Sequence, residues 1–278
     1  MGSEPLQNYS LEVDLSIPIT EPTMPDLDYE SIFKLLEERP MRETWVASLP
    51  ERLRTRKFLD AEGGFDRWGR QYQIEHAIDL SRTRELLGAG NWSSADVTSM
   101  ATASSNPSDG IWFYKVSISF VTNSDTGEYM ARWGGLSSDV DSPTLPESFT
   151  ESWADEVWDF MLRGTDLLGA LYGYARVHRR DQRDFAKAYL YRYYGLPPRD
   201  PDDIPGAQWV CLIPPRALEK LGGWGRLSTE APVHRSSAIH YRDGRVGALL
   251  QATPLPQTYD EVADQVLRSY LSPILRPW

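Results

Sequence analysis

At 278 residues, with 41% hydrophobic and 25% charged side chains, the chain can bury one large core or two smaller ones and is too apolar to stay disordered. Its net charge of −11 disfavours binding to a nucleic-acid backbone and favours a basic partner. No apolar run reaches the roughly 18 residues of a membrane helix, the first thirty residues lack the basic start and apolar stretch of a signal peptide, and the single cysteine excludes an intramolecular disulfide, so the expected compartment is the cytosol.

Residues 1–30 read as an acidic N-terminal arm. They carry seven acids and no Lys or Arg, which leaves a balance of only −4 for the remainder. Pro5, Pro18, Pro22 and Pro25 imply an extended or flexible lead-in, and the alternation Leu11, Val13, Leu15, Ile17 leaves room for one strand.

Residues 31–142 form an N-terminal α+β half. Ile32, Phe33, Leu35 and Leu36 fit a short amphipathic helix over Asp28 to Glu38, ended by Pro40, and a second helix fits Asp79 to Leu87, stopped by Gly88 and Gly90. Ile111 to Val121 is the clearest strand; Asn123 to Gly127 turns it back into Glu128 to Trp133, making a hairpin. The Ser/Asp/Pro-rich stretch Ser137 to Pro146 reads as a linker or exposed loop between the halves.

Residues 143–278 form the C-terminal half. Ser148 and Glu151 make a capping box for a helix carrying Trp153, Val157, Phe160 and Met161, ended by Gly164, and Leu167 to Val177 follows as a buried strand. The basic, tyrosine-rich stretch from Arg176 to Tyr194 suits a solvated helix anchored by its rings better than a single-strand nucleic-acid platform, because Asp181 and Asp184 dilute it. Then come a buried strand in Trp209 to Ile213, a helix from Pro214-Pro215 stopped by Gly222-Gly223, a hairpin over Arg235 to Ala252 about Asp243-Gly244, and a last helix started by Thr258 and Glu261 with Val262, Val266, Leu267 and Tyr270 on its apolar side. This order implies an α+β class with a mainly antiparallel sheet and helices packed on one face. Its faint echo in the first half leaves two similar lobes open.

A search for chemistry finds little. His76, His178, His234 and His240 are too scattered for a local zinc signature, and even a shared strand face for His234 and His240 would supply two ligands where a site needs three or four. Gly88-Ala-Gly90 and Gly222-Gly223 lack the setting of a phosphate loop, and Cys211 sits in an apolar run with no neighbouring His or cation to activate it. The carboxylate groups Glu75, Asp155 with Glu156 and Asp159, and Asp202 with Asp203 suit solvated faces as well as acid–base work. No enzyme activity, cofactor, metal, nucleic acid or membrane is expected. Ten tryptophans and fourteen tyrosines suit a binding surface, Trp92, Trp133, Trp224 and Trp278 being set beside glycines, turns or the terminus.

Four phrases stand out: Ile204-Pro-Gly-Ala-Gln-Trp209, Pro214-Pro-Arg-Ala-Leu218 with Leu221-Gly-Gly223, Leu249-Leu-Gln-Ala-Thr-Pro254, and Tyr270-Leu-Ser-Pro-Ile-Leu-Arg-Pro277. With Trp153 to Tyr174 more loosely, they resemble the C-terminal half of a family of bacterial type VI secretion immunity proteins. The resemblance implies a protein that binds a cognate secreted antibacterial toxin, often a nuclease and encoded next door, and covers its active site; it assigns no contact residues. A small-molecule or regulatory binding module and a metal-independent enzyme remain as alternatives. For a basic toxin, the partner-binding candidates are Asp139 and Asp141 in the central loop, Asp200, Asp202 and Asp203 before the signature strand, and the rings of Trp133 and Trp224.

Overall fold

The computed structural model describes residues 7–19, 59–66, 71–75, 92–103, 112–122, 129–134, 138–142, 150–179 and 201–276, together with Ser31, Lys34, Val46, Glu51, Ser81, Thr83, Glu85 and Ala89. Among the described residues eleven strands share one sheet: β1 (Gln7–Ile19), β2 (Leu59–Asp66), β3 (Gln71–Glu75), β4 (Trp92–Ala103), β5 (Trp112–Thr122), β6 (Tyr129–Gly134), β7 (Ser138–Ser142), β8 (Tyr172–Arg179), β9 (Val210–Ile213), β10 (Arg235–His240) and β11 (Val246–Gln251). Their order is β10-β11-β9-β8-β1-β6-β5-β4-β2-β3, with β7 off this path and paired to β1 and β5. All strand pairs are antiparallel, and four described helices accompany them: α1 (Glu151–Leu168), α2 (Pro215–Lys220), α3 (Gly223–Glu230) and α4 (Glu261–Leu271). The α+β class with a mainly antiparallel sheet is therefore observed.

The strand expected from the alternation in the acidic arm is β1, and it lies between β8 and β6, with Val13 and Leu15 fully buried. Its backbone pairs antiparallel with both neighbours, Val13 opposite Ala175 of β8 and Leu15 opposite Trp133 of β6. The expected hairpin of the first half is β5–β6, with Ser119 opposite Arg132. Two strands there carry little signal. β2 contains Gly63-Gly64 and β4 reads Trp-Ser-Ser-Ala-Asp-Val-Thr-Ser-Met-Ala-Thr-Ala, sequences short of the branched and aromatic residues that mark strands, and sheet neighbours on both sides stabilise them instead. Ser31 and Lys34 are helical, as are Ser81, Thr83 and Glu85, where helices were expected; Ala89 is helical too, beyond the stop expected at Gly88, and the rest of those two segments lies outside the described residues.

In the C-terminal half, α1 runs past Gly164 to Leu168 and is ended by Gly169, whose left-handed backbone (φ 62°) lets the Ala170 N–H return to the Thr165 carbonyl at 3.1 Å. Gly164 is buried inside the helix, so its small size serves packing rather than termination. The N-cap is Thr150, with no side-chain cap bond, so the expected capping box does not carry the helix start. What holds α1 is its apolar stripe: Trp153, Val157, Trp158, Phe160, Met161 and Leu168 are all buried.

Sheet register divides the core into two faces. Cys211 opposes Leu250 and Ile213 opposes Ala248, and these four pack with Ala217 and Leu218 of α2, Leu227 of α3, and Leu267 and Leu271 of α4. Val210 opposes Gln251 and Leu212 opposes Leu249 on the other face. Arg235, opposite Gln251, reaches Asp155 and the Ala154 carbonyl of α1, which places α1 there. Three of the four described helices thus share one face, and α1 covers the other.

The glycine pair after α2 does more than stop a helix. Gly222 is left-handed (φ 93°), its N–H bonds the Glu219 carbonyl at 2.9 Å, and Gly223 opens α3, a helix not expected from sequence. Asp260, not Thr258, caps α4: its Oδ1 accepts the Ala263 N–H at 2.9 Å, while Thr258 closes a 3-10 turn.

Candidate functional site

The phrases that carry the family resemblance turn out to be architectural. Trp209 is 2% exposed and its indole N–H donates to the Thr253 carbonyl at 2.9 Å. Gln251 is fully buried and fully used: its Oε1 accepts from Arg235 Nε at 2.6 Å, and its Nε2 donates to the carbonyls of Thr253 and Pro254, each at 2.9 Å. Arg235 also stacks over Trp158 of α1, 4.6 Å from the ring centroid. The Trp209 and Leu-Leu-Gln-Ala-Thr-Pro phrases therefore meet at one junction, where a buried amide, an arginine and an indole tie β9, β10, β11 and α1 together. The closing phrase acts similarly: Ile204 and Leu275 form a parallel bridge, with the Ile204 N–H on the Ile274 carbonyl at 2.8 Å and the Arg276 N–H on the Ile204 carbonyl at 3.0 Å.

This architecture absorbs two of the expected contact acids. Asp203 takes a fork from Arg276, with Oδ1···Nη2 at 2.9 Å and Oδ2···Nε at 3.0 Å, clamping the chain before β9 to the chain after α4. Asp202 pairs with Lys220 of α2 at 2.6 Å, and that ammonium holds its carboxyl below the usual carboxylate range. Both side chains remain partly open to solvent, yet their charge is already matched within the chain. Asp139 and Asp141 stand in β7, opposite Ser10 and Asn8 of β1, so their stretch of the Ser137 to Pro146 segment is a paired strand rather than a loop. Backbone pairing to β1 and β5 overrides a loop-like composition there. Asp200 lies outside the described residues, and the Trp133 side chain also falls outside them, its backbone standing in β6 opposite Leu15 and Ile118. Trp224, on α3, is half-buried and packs against the core formed by α2, α3, α4 and the sheet.

Cys211 is buried 2% exposed, its thiol exchanging contacts with the N–H and carbonyl of Gln208 at 3.0 and 3.2 Å. Burial pushes its pKa up to about 12, so it is a neutral, packed thiol. Burial likewise raises the phenols of Tyr241, which donates to the Ala170 carbonyl, and Tyr259, which donates to Asp264. Folded-state values raised above unfolded ones mean that stability from these groups is complete below about pH 8.5, the unperturbed thiol value, and is lost as pH rises toward and past the folded values. Cys211 should resist a thiol-alkylating reagent at pH 8 until urea unfolds the chain, and the melting temperature should fall steadily above about pH 9. Rapid alkylation of native protein at pH 8 would show that the thiol is reachable.

A groove of about 660 Å³ lies where the end of α1 meets the β10–β11 turn, lined by Asp166, Leu167, Leu171, His240, Arg242 and Arg245 among others. Arg245 is already bonded to Asp243 at 2.7 Å through Nε, and its own N–H donates to the same carboxylate at 3.0 Å, an arrangement that holds Asp243 below the usual carboxylate range. His234 and His240 are both exposed, and among the described residues no group of three or more His, Cys, Asp or Glu converges as a metal site.

The outer face of α4 departs most from expectation. Val262 and Val266, assigned from sequence to the buried stripe, are 68% and 46% exposed, the only exposed large hydrophobic side chains among the described residues. The helix is rolled by Leu267 and Leu271, which are buried at 1% and 0%. Val262 precedes Leu271 by nine residues, about 180° around a helix of 3.6 residues per turn, so it must face away.

Compared with protein-family models, curated proteins and solved structures, the chain matches none. Among the described residues, no helix is long and apolar enough to cross a membrane.

Proposed function

We propose that this protein is an immunity protein that binds a cognate secreted antibacterial toxin in the cytosol of the producing cell and neutralises it stoichiometrically by covering its active site. The observation that carries this reading is that the residues of the resemblance form one folded unit: Trp209, Gln251, Thr253, Ile204 and Arg276 are all joined in the junctions that hold β9, β11 and the chain after α4. A broad sheet flanked by short helices suits binding by surface. The reading agrees with a net charge of −11, since a nuclease attracts phosphate with cations around its cleft and an acidic inhibitor exploits the same field. Action is by binding, without turnover.

The groove beside α1 favours a second reading, a small-molecule or regulatory module, because it is concave and mixes apolar walls with Asp166, Arg242 and Arg245. The two are separated by co-expressing the protein with the product of each neighbouring gene. The immunity reading expects a one-to-one complex by calorimetry, slower association as salt rises, and rescue of cells from that product's toxicity. If no product encoded nearby binds, the role is wrong. Neutralising Asp202 and Asp203 is expected to loosen their pairs with Lys220 and Arg276, so a loss of stability would accompany any loss of binding.

A further inference from the structure

The exposed side of α4 carries two large apolar side chains. Val262 and Val266 are one helical turn apart, and Ser269 and Pro273, both exposed, continue the same line past the end of the helix. At 100° per residue Val262, Val266 and Ser269 fall within about 60° of one another, so a single partner surface can cover them together. Valine is a poor choice for a solvated helix position, because its branched side chain loses freedom against the preceding turn and leaves apolar area in water. Two of them on one exposed face are explained by something that covers them.

The charge around the stripe says what kind of surface that is. Glu261, at its N-terminal end, is exposed and has no ion-pair partner among the described residues, while Asp260 beside it caps the helix. The nearby cations are already matched: Arg268 bonds Asp264 at 2.5 Å and Arg226 bonds Glu230 at 2.7 Å. The stripe is therefore apolar with unmatched negative charge at one end. Its complement is an apolar patch edged by Lys or Arg.

We propose that the outer face of α4, centred on Val262 and Val266 with Glu261 at its edge, is the surface that docks the cognate toxin through an apolar patch rimmed by basic side chains. This rests on the immunity reading and makes it specific. Apolar anchors at the centre and charge at the rim divide the work: the valines hold the complex and slow its dissociation, whereas Glu261 speeds encounter. The aspartates paired with Lys220 and Arg276 contribute less, their charge being matched within the chain.

The test is calorimetry and stopped-flow association with the neighbouring toxin, rendered inactive by a substitution in its own active site. Four forms are compared: wild type, V262D/V266D, V262S/V266T and Glu261→Lys, with Asp159→Lys on the exposed side of α1 as a control from the opposite sheet face. Because both valines are solvent-facing, each double variant should keep the wild-type melting temperature; V262S/V266T secures the result should the aspartates disturb the helix. V262D/V266D should weaken binding by about 30-fold or more, V262S/V266T by about 5- to 10-fold, and Glu261→Lys should slow association and flatten its salt dependence, while Asp159→Lys changes little. Wild type binding the toxin with folded valine variants equally tight overturns the docking face and leaves the immunity role standing. Sedimentation of wild type alone as a dimer that V262D/V266D dissolves assigns the face to a second copy and also overturns it. Absence of any complex with wild type removes the immunity role and this surface together.

Discussion

Replacing Trp209 with alanine should lower the unfolding free energy by about 3–5 kcal/mol, read from urea denaturation monitored by far-UV circular dichroism. Trp209 is 2% exposed, so truncation empties a ring-sized volume in a sheet that cannot close over it: the Trp209 carbonyl itself holds the Ala252 N–H at 2.8 Å and continues the β9–β11 ladder. The indole N–H bond is lost as well, leaving the Thr253 carbonyl with Gln251 Nε2 as its remaining donor. Trp209→Phe separates the two parts. It keeps most of the volume and should cost about 1–2 kcal/mol. A loss below about 1 kcal/mol for the alanine variant would mean that the site collapses freely and that the strand is not held as described.

The second large effect should come from Arg235→Ala, at about 2–4 kcal/mol. Four interactions go at once. Gln251 Oε1, in a side chain with no solvent exposure, loses its donor; the Ala154 carbonyl loses the 3.1 Å bond from Nη2; and the guanidinium no longer covers Trp158. The ion pair with Asp155 matters least, since that carboxylate is 64% exposed and water screens it. Asp155→Asn should accordingly change stability by less than about 0.5 kcal/mol. Arg235→Lys should recover only part of the loss, because one ammonium cannot reach the amide, the carbonyl and the ring with the fixed fork of a guanidinium. If Asp155→Asn costs as much as Arg235→Ala, the surface pair rather than the buried amide holds α1 to the sheet edge.

Much of the C-terminal half is legible in residue order because its signals are local. An alternating or unbroken apolar run such as Val210–Ile213, a proline pair before Arg216-Ala217-Leu218 and a polar Asp243-Gly244 between apolar runs each specify an element through a few neighbouring residues. Burial of Trp209, Leu212 and Leu218, each at 2% exposure, follows from those runs. The single thiol's inertness follows too, from its apolar neighbours.

Elements whose stability is borrowed from neighbours are not legible this way. β4 and β7 are polar and small, and they are strands because β5 and β1 offer backbone partners. The left-handed turn at Gly169, rather than the earlier Gly164, ends α1 because the stop depends on where the apolar stripe meets the sheet.

The surface separates the two sources most clearly. The sequence by itself determined that α4 is amphipathic and that the chain is acidic; the periodicity of Val262, Val266 and Leu267 could not say which arc of the helix faces inward, because all three are apolar. Packing of Leu267 and Leu271 against the sheet decided it, turning both valines to solvent. Likewise, acidity was plain from composition, but only the approach of Lys220 and Arg276 from distant segments decided that Asp202 and Asp203 are matched, whereas Glu261 stays exposed. Charge is a property of single residues, whereas its availability is set by whatever the fold brings within about 4 Å.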